Sequence, residues 1–122
     1  GLGESMEQRI ELALTLRELH VDSVPINFLD PVAGTPLATM QQLIPRTCLQ
    51  IIALYRLLLP DCHITVCGGR QSNLRELQSW IFLAGASGVM TGDYLTKGGR
   101  RPEDDQRLIA DLGLTVTKEF VR

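Results

Sequence analysis

The stretch best equipped for chemistry is His63-Ile64-Thr65-Val66-Cys67-Gly68-Gly69-Arg70. Read as a strand, it sends Ile64 and Val66 to one face and His63, Thr65 and Cys67 to the other, so one side is apolar and the other carries an imidazole, a hydroxyl and a thiol. It runs into a Gly-Gly-Arg turn followed by Ser72 and Asn73, a favourable pair for a helix N-cap. Backbone N–H groups of that turn and of the new helix would make an anion-friendly site. In barrel enzymes, the loop leaving the C-terminal end of a strand is where the chemistry is kept. A second segment, residues 22–29, alternates in the same way: Val24, Ile26 and Phe28 on one face, Ser23, Pro25 and Asn27 on the other.

Each of these side chains has a plainer role open to it. Cys67 is either a metal ligand or a small buried hydrophobe, the common fate of a free cysteine. Cys48 and Cys62 read as structural. His63 begins its strand, away from the chemical end, and reads as a hydrogen-bonded structural histidine. Asn27 either binds a ligand or satisfies backbone groups at a strand end. Arg70 either binds a carboxylate of substrate or cofactor, or pairs with an acidic neighbour to hold the rim. The run Glu103-Asp104-Asp105 marks a helix start, since carboxylates suit the positive end of the helix dipole. Trp80 reads as a core residue and Tyr94 as a loop residue; two isolated aromatics make no stacking platform.

The elements that must position these groups follow from periodicity. Ser5 and Gln8 match a capping box, and Ile10, Ala13, Leu14 and Leu19 give helical spacing, so a first helix is expected over 6–19. Residues 30–38, with Pro31, Gly34 and Pro36, are a loop. A second helix starts at Pro45 and stops before Pro60; its apolar residues cover most of the circumference, which predicts burial between the sheet and other helices. A third helix is expected over 74–84, with Leu74, Leu77, Trp80, Ile81 and Ala84 on its inner side and Gly85 at its end. Residues 88–91 read as a third strand and 92–99 as a loop with Tyr94 and Lys97. A fourth helix runs from Pro102 to Gly113, and the last nine residues are a short strand or a tail.

Turn, helix and then three strand–helix units imply an α/β protein with parallel strands and crossover helices: the C-terminal βα units of a TIM-like barrel. Three strands and four helices leave two sheet edges exposed, and the chain opens on Gly-Leu-Gly-Glu. The expectation is therefore one region, residues 1–122, forming part of a barrel whose remainder lies elsewhere. A net charge of −2 gives no basic excess to suggest nucleic acid. Apolar runs fall far short of the ~20 residues of a membrane span. Three cysteines without a C-x-x-C pair point to a reducing, cytoplasmic setting.

At Asp22-Ser23-Val24-Pro25-Ile26-Asn27-Phe28-Leu29 with Gly34-Thr35-Pro36-Leu37, the chain resembles biotin synthases, which are radical S-adenosylmethionine enzymes. The likeness continues through Cys67-Gly68-Gly69-Arg70, Arg75-Glu76-Leu77-Gln78, Leu83-Ala84-Gly85-Ala86 and Pro102-Glu103-Asp104-Asp105 to Leu112-Gly113-Leu114. It covers roughly residues 1–115 and corresponds to the last third of that family; residues 22–115 resemble the segment associated with biotin and thiamin synthesis. The resemblance implies a 4Fe-4S cluster, with ligands outside this chain, that cleaves S-adenosylmethionine. It further implies a deoxyadenosyl radical that takes hydrogen from dethiobiotin, and an auxiliary iron–sulfur cluster that gives the sulfur. It also implies a reductant protein such as flavodoxin or ferredoxin, and a homodimer at full length. Gly1 and Glu4 match a motif near the adenine of the cofactor, and Asn27 matches an asparagine in the substrate and cofactor pocket. The departure lies at Thr65, where better-known biotin synthases carry an arginine that ligates the auxiliary cluster. Cys67, two residues on and on the same face, replaces their serine, and the expectation is that this thiolate takes over ligation. Two other readings compete. One is another radical enzyme sharing the segment, of the thiamine, pyrrolysine or hydrogenase-cofactor type. The other is a non-catalytic anion-binding module using the Gly68-Gly69-Arg70 turn.

Overall fold

The computed structural model describes residues 1–94 and 98–117. Lys97 and the end of the expected tail, residues 118–122, lie outside the described residues. The chain forms two compact units, residues 1–90 and 91–122.

The first unit is built on three parallel strands, β1 (Ser23–Ile26), β2 (His63–Val66) and β3 (Gly88–Val89), in the order β1-β2-β3. Ser23 stands opposite His63 and Ile26 opposite Val66. Beyond the strand ends the ladder continues, with the Cys67 N–H donating to Ile26 O at 2.8 Å and the Phe28 N–H to Gly68 O at 2.9 Å. Alternation behaves as expected: Val24, Ile26 and Phe28 are buried while Ser23, Pro25 and Asn27 are exposed. Pro25 is tolerated because β1 is an edge of this sheet and the missing N–H points away from β2.

The helix α1 (Met6–Glu18) begins with the expected capping box: Ser5 Oγ accepts from the Gln8 N–H at 3.3 Å and Gln8 Oε1 from the Ser5 N–H at 2.8 Å. Only Ala13 of this helix is buried. The helix α2 (Pro45–Leu58) starts on Pro45 and packs against both the sheet and neighbouring helices, as expected, while one edge of it reaches solvent. Cys48, Ile51, Ile52 and Tyr55 are buried at helical spacing, whereas Leu57 is 81% exposed. Its buried face joins Val24, Ile26, Ile64 and Val66 in one core. Each fully buried isoleucine there, such as Ile52 or Ile64, stabilises the fold by roughly 1.5–3 kcal/mol.

The expected third helix is broken into three pieces: α3 (Arg70–Leu74), a 3₁₀ turn (Arg75–Leu77) and α4 (Trp80–Leu83). Arg75 takes φ 51°, which ends α3, and the residue preceding α3 is Gly69 at φ 71°. Ser72 and Asn73 therefore lie inside a helix and do not cap it. Leu74 and Ile81 are fully buried, but Trp80 is 54% exposed, so its assignment to the core is corrected. Arg70 and Asn73 are drawn inward instead, and a polar interior face is what the apolar spacing could not register. The third strand is shorter than expected, two residues rather than four.

At the end of the sheet where β2 and β3 begin, Arg56 of α2 acts as a clamp. Its Nη1 donates to Leu59 O, Pro60 O and Cys62 O at 3.1, 2.8 and 2.9 Å. Its Nε reaches Gly85 O at 2.8 Å and its Nη2 reaches Ser87 Oγ at 2.7 Å. One guanidinium fork thereby ties carbonyls of the turn between α2 and β2 to the segment that enters β3.

In the second unit, α5 (Pro102–Asp111) opens with Pro102 and the acidic first turn, as expected. Arg101 pairs with Asp104 at 3.0 Å and Arg100 with the buried Asp105 at 3.4 Å. No described helix is long and apolar enough to cross a membrane.

Candidate functional site

Along the whole of β1, from Ser23 to the segment that leaves it, and reaching the turn after β2, the first unit carries a cleft of about 1020 Å³. Gly1, Glu4 and Arg9 line it from the start of α1, Asn27 from the exit of β1, and Gly68 and Gly69 from the turn after β2. Leu12, Leu16, Ile51 and Tyr55 give it an apolar wall. An apolar cleft with a few converging polar groups is the usual form of a small-molecule site.

Asn27 is exposed, and its Oδ1 accepts from the Gly68 N–H at 2.8 Å across 41 residues of sequence. That bond orients the carboxamide and leaves its Nδ2 donors for a ligand. A Cβ at Gly68 would meet Asn27 Oδ1 at 2.9 Å, so a side chain there would push the carboxamide aside. Gly69 is held more tightly still, since a Cβ there would fall 1.8 Å from Phe28 O. With the Gly68 N–H committed to Asn27, and α3 only five residues long, the expected anion cradle is not formed as drawn from the sequence.

Glu4 anchors the turn into α1. Its carboxylate accepts from the Gly1 backbone nitrogen at 2.8 Å, the Leu2 N–H at 2.7 Å and Arg9 Nε at 3.0 Å. Partial burial raises its pKa, but the hydrogen bonds it accepts outweigh that effect and hold it below the usual carboxylate range. Glu4 is therefore an anion at neutral pH, neutralised by Arg9 beside it.

Cys67 follows β2 in the same strand phase as Thr65 and in register with Asn27, yet it is only 6% exposed and is not among the residues lining the cleft. Its Sγ lies 3.6 Å from Thr65 O, and burial pushes its thiol pKa up. Arg70, 1% exposed, donates to Gln78 Oε1 at 2.8 Å and to Met90 O at 3.4 Å, so it ties the turn after β2 to the end of β3 and does not line the cleft. The structure thus brings Gly1, Glu4 and Asn27 to one cleft and leaves Cys67 and Arg70 buried outside its lining. Among the described residues, no three His, Cys, Asp or Glu side chains gather to hold a metal ion. Cys67 is the donor type an iron–sulfur cluster takes, but it is one thiol, and further ligands would have to come from outside these residues.

Sequence reasoning missed two residues. Arg9 was legible only as a polar position on a helix, although its place five residues after Glu4 suits a side chain folding back over the first turn. Asn73 is fully buried. Its Nδ2 donates to Leu29 O at 3.0 Å and Gly69 O at 2.9 Å, and its Oδ1 accepts from the Leu43 N–H at 3.0 Å.

Comparison with known proteins gives this arrangement a family. Residues 25–115 match the Biotin and Thiamin Synthesis associated domain. The whole chain is 75% identical to a biotin synthase of Trichlorobacter lovleyi, covering 37% of that protein. It is 65% identical over 116 residues to a biotin synthase of Geobacter sulfurreducens and 67% identical over 118 residues to one of Syntrophotalea carbinolica, covering 35% and 36% of them. The chain spans about a third of the length of these curated relatives and matches their C-terminal part. It belongs to the Biotin and Thiamin Synthesis associated domain family, in the form that biotin synthases carry.

Proposed function

We propose that the chain is the C-terminal part of a biotin synthase, that its βα units close a TIM-like barrel over residues 1–122, and that the whole enzyme inserts sulfur into dethiobiotin. The observation that carries this reading is that Gly1, Glu4 and Asn27 line one cleft, which runs along β1 and takes in the segments leaving the C-terminal ends of β1 and β2, the end that carries chemistry in barrel enzymes. When bound, S-adenosylmethionine on a 4Fe-4S cluster supplies hydrogen abstraction and an auxiliary iron–sulfur cluster supplies the sulfur. The residues of this chain bind and orient. Asn27 presents its Nδ2 donors to an acceptor on substrate or cofactor, held in place by the Gly68 N–H. Glu4 keeps the Gly1–Leu2 backbone in position against the cofactor side. Cys67 is offered as a thiolate to the auxiliary cluster; iron bound there would reverse the effect of burial on its pKa. The internal partners of Arg70 favour the rim-holding role over a direct carboxylate contact. The setting is cytoplasmic, with a flavodoxin or ferredoxin as reductant and a homodimer as the assembled form.

The test is conversion of dethiobiotin to biotin by the reconstituted full-length enzyme. Wild type is expected to form biotin, and Asn27→Ala to lower its formation by about 10–100-fold, the scale of losing one or two ligand hydrogen bonds in a closed site. A wild-type enzyme that consumes S-adenosylmethionine without making biotin would refute the assignment, and an Asn27→Ala enzyme of wild-type activity would refute the role of Asn27.

A further inference from the structure

We propose that Asn73, which does not line the cleft, is the positioning residue that sets the Asn27 carboxamide, acting through the Gly68-Gly69 turn. This rests on the reading of the cleft as the ligand site of a biotin synthase, and the geometry links the two asparagines in three steps. First, the buried Asn73 carboxamide donates to Gly69 O at 2.9 Å and to Leu29 O at 3.0 Å, so one side chain holds the turn after β2 and the segment after β1 at a fixed separation. Second, the turn is pressed onto that segment: Gly69 leaves no room for a Cβ against Phe28 O, and Gly68 O accepts from the Phe28 N–H at 2.9 Å. Third, Gly68 so placed gives its N–H to Asn27 Oδ1 at 2.8 Å. The opposite edge of the Asn73 amide accepts from the Leu43 N–H at 3.0 Å, which brings the end of the long loop before α2 into the same arrangement. A buried carboxamide with oxygen and nitrogen both engaged by three separate segments is over-determined in orientation, and that fixity is what a cleft residue on a loop otherwise lacks.

The alternative is that Asn73 only adds stability. Amide hydrogen exchange in the full-length enzyme separates the two, read on peptides spanning 26–30 and 66–70, together with dethiobiotin affinity. Asn73→Ala is expected to raise exchange of the Gly68 and Phe28 amides about tenfold and to weaken dethiobiotin binding by a similar factor, the scale of one hydrogen bond lost. Asn73→Asp keeps the acceptor for the Leu43 N–H and removes both donors, so the same local rise is expected if the alanine variant folds poorly. Ile81→Val, in the core away from the cleft, lowers stability and is expected to leave both readouts at the wild-type value. Unchanged exchange at Gly68 and Phe28 in both Asn73 variants, or an equal rise in Ile81→Val, overturns the proposal. Wild type that fails to bind dethiobiotin overturns the functional reading, while the exchange result still decides the role of Asn73.

Discussion

Replacing Gly69 by alanine is expected to be the most damaging single-methyl change at the turn after β2, and its size can be worked from two separate effects. Gly69 has φ 71°, and holding an alanine in the left-handed region costs ~1–2 kcal/mol. The added Cβ would also stand 1.8 Å from Phe28 O and 2.8 Å from Phe28 C, both backbone atoms that no side-chain rotation can clear. The turn must then move by more than about 1 Å, which breaks the bonds from the Phe28 N–H to Gly68 O and from Asn73 to Gly69 O, at ~1 kcal/mol net for each. The sum is about 3–4 kcal/mol, a large part of the ~5–15 kcal/mol that keeps a domain folded. Gly34→Ala is the matched control: its φ is 83°, but nothing lies within 4 Å of the added Cβ, so only the conformational cost of ~1–2 kcal/mol applies. Urea unfolding of the protein carrying each change, followed by circular dichroism, measures the difference, expected at ~2 kcal/mol. Equal costs for the two substitutions would show that the close approach of the turn to the exit of β1 does not constrain the fold.

Three further outcomes are expected. Glu4, whose hydrogen bonds hold its pKa below the ordinary 4.5, stabilises the native state above about pH 4.5; that contribution is lost as pH falls through the lowered pKa, so Glu4→Gln should flatten the acid limb of a stability–pH profile. Arg56→Ala takes a partner from the carbonyls of Cys62 and Gly85 and should cost ~1–3 kcal/mol in urea unfolding, with Arg56→Lys recovering only part because an ammonium cannot span the fork. Iron and sulfide analysis of the full-length enzyme should show Cys67→Ala losing the auxiliary cluster and keeping the other; unchanged content would exclude Cys67 as a ligand.

Much of the scaffold is legible in the sequence because its signals are local. Ser5 and Gln8 announce α1, Pro45 and Pro60 bracket α2, Pro102 with three acids opens α5, and the alternation of Val24, Ile26 and Phe28 gives the phase of β1. The segment after β2 is misread because its interior is polar. Arg70 and Asn73 occupy inward positions that apolar spacing assigns to Leu77 and Trp80, and the positive φ of Arg75 has no signature in residue type. The cleft is legible only in part. Asn27 falls on the polar face by alternation, but its contact with Gly68 joins positions 41 residues apart, which no local pattern specifies. Gly1 and Glu4 stand out only through family likeness, and Asn73 reads as a cap because Ser-Asn after a glycine turn is the usual mark of a helix start.

The proline within β1 bears on how the sheet grows. Backbone groups of Asp22, Ile26 and Phe28 face β2, so by alternation those of Ser23, Pro25 and Asn27 face the free edge. Any strand laid against that edge meets the Pro25 carbonyl without an N–H beside it. One rung of the ladder is blank. A neighbour carrying a residue that makes no demand at that rung docks at full strength, while a stranger, or the same neighbour slipped by two residues, leaves a carbonyl unanswered at a cost of ~1–3 kcal/mol when buried. A proline at that rung thus weakens generic pairing along the edge, one of the ways in which strand edges are kept from joining like chains.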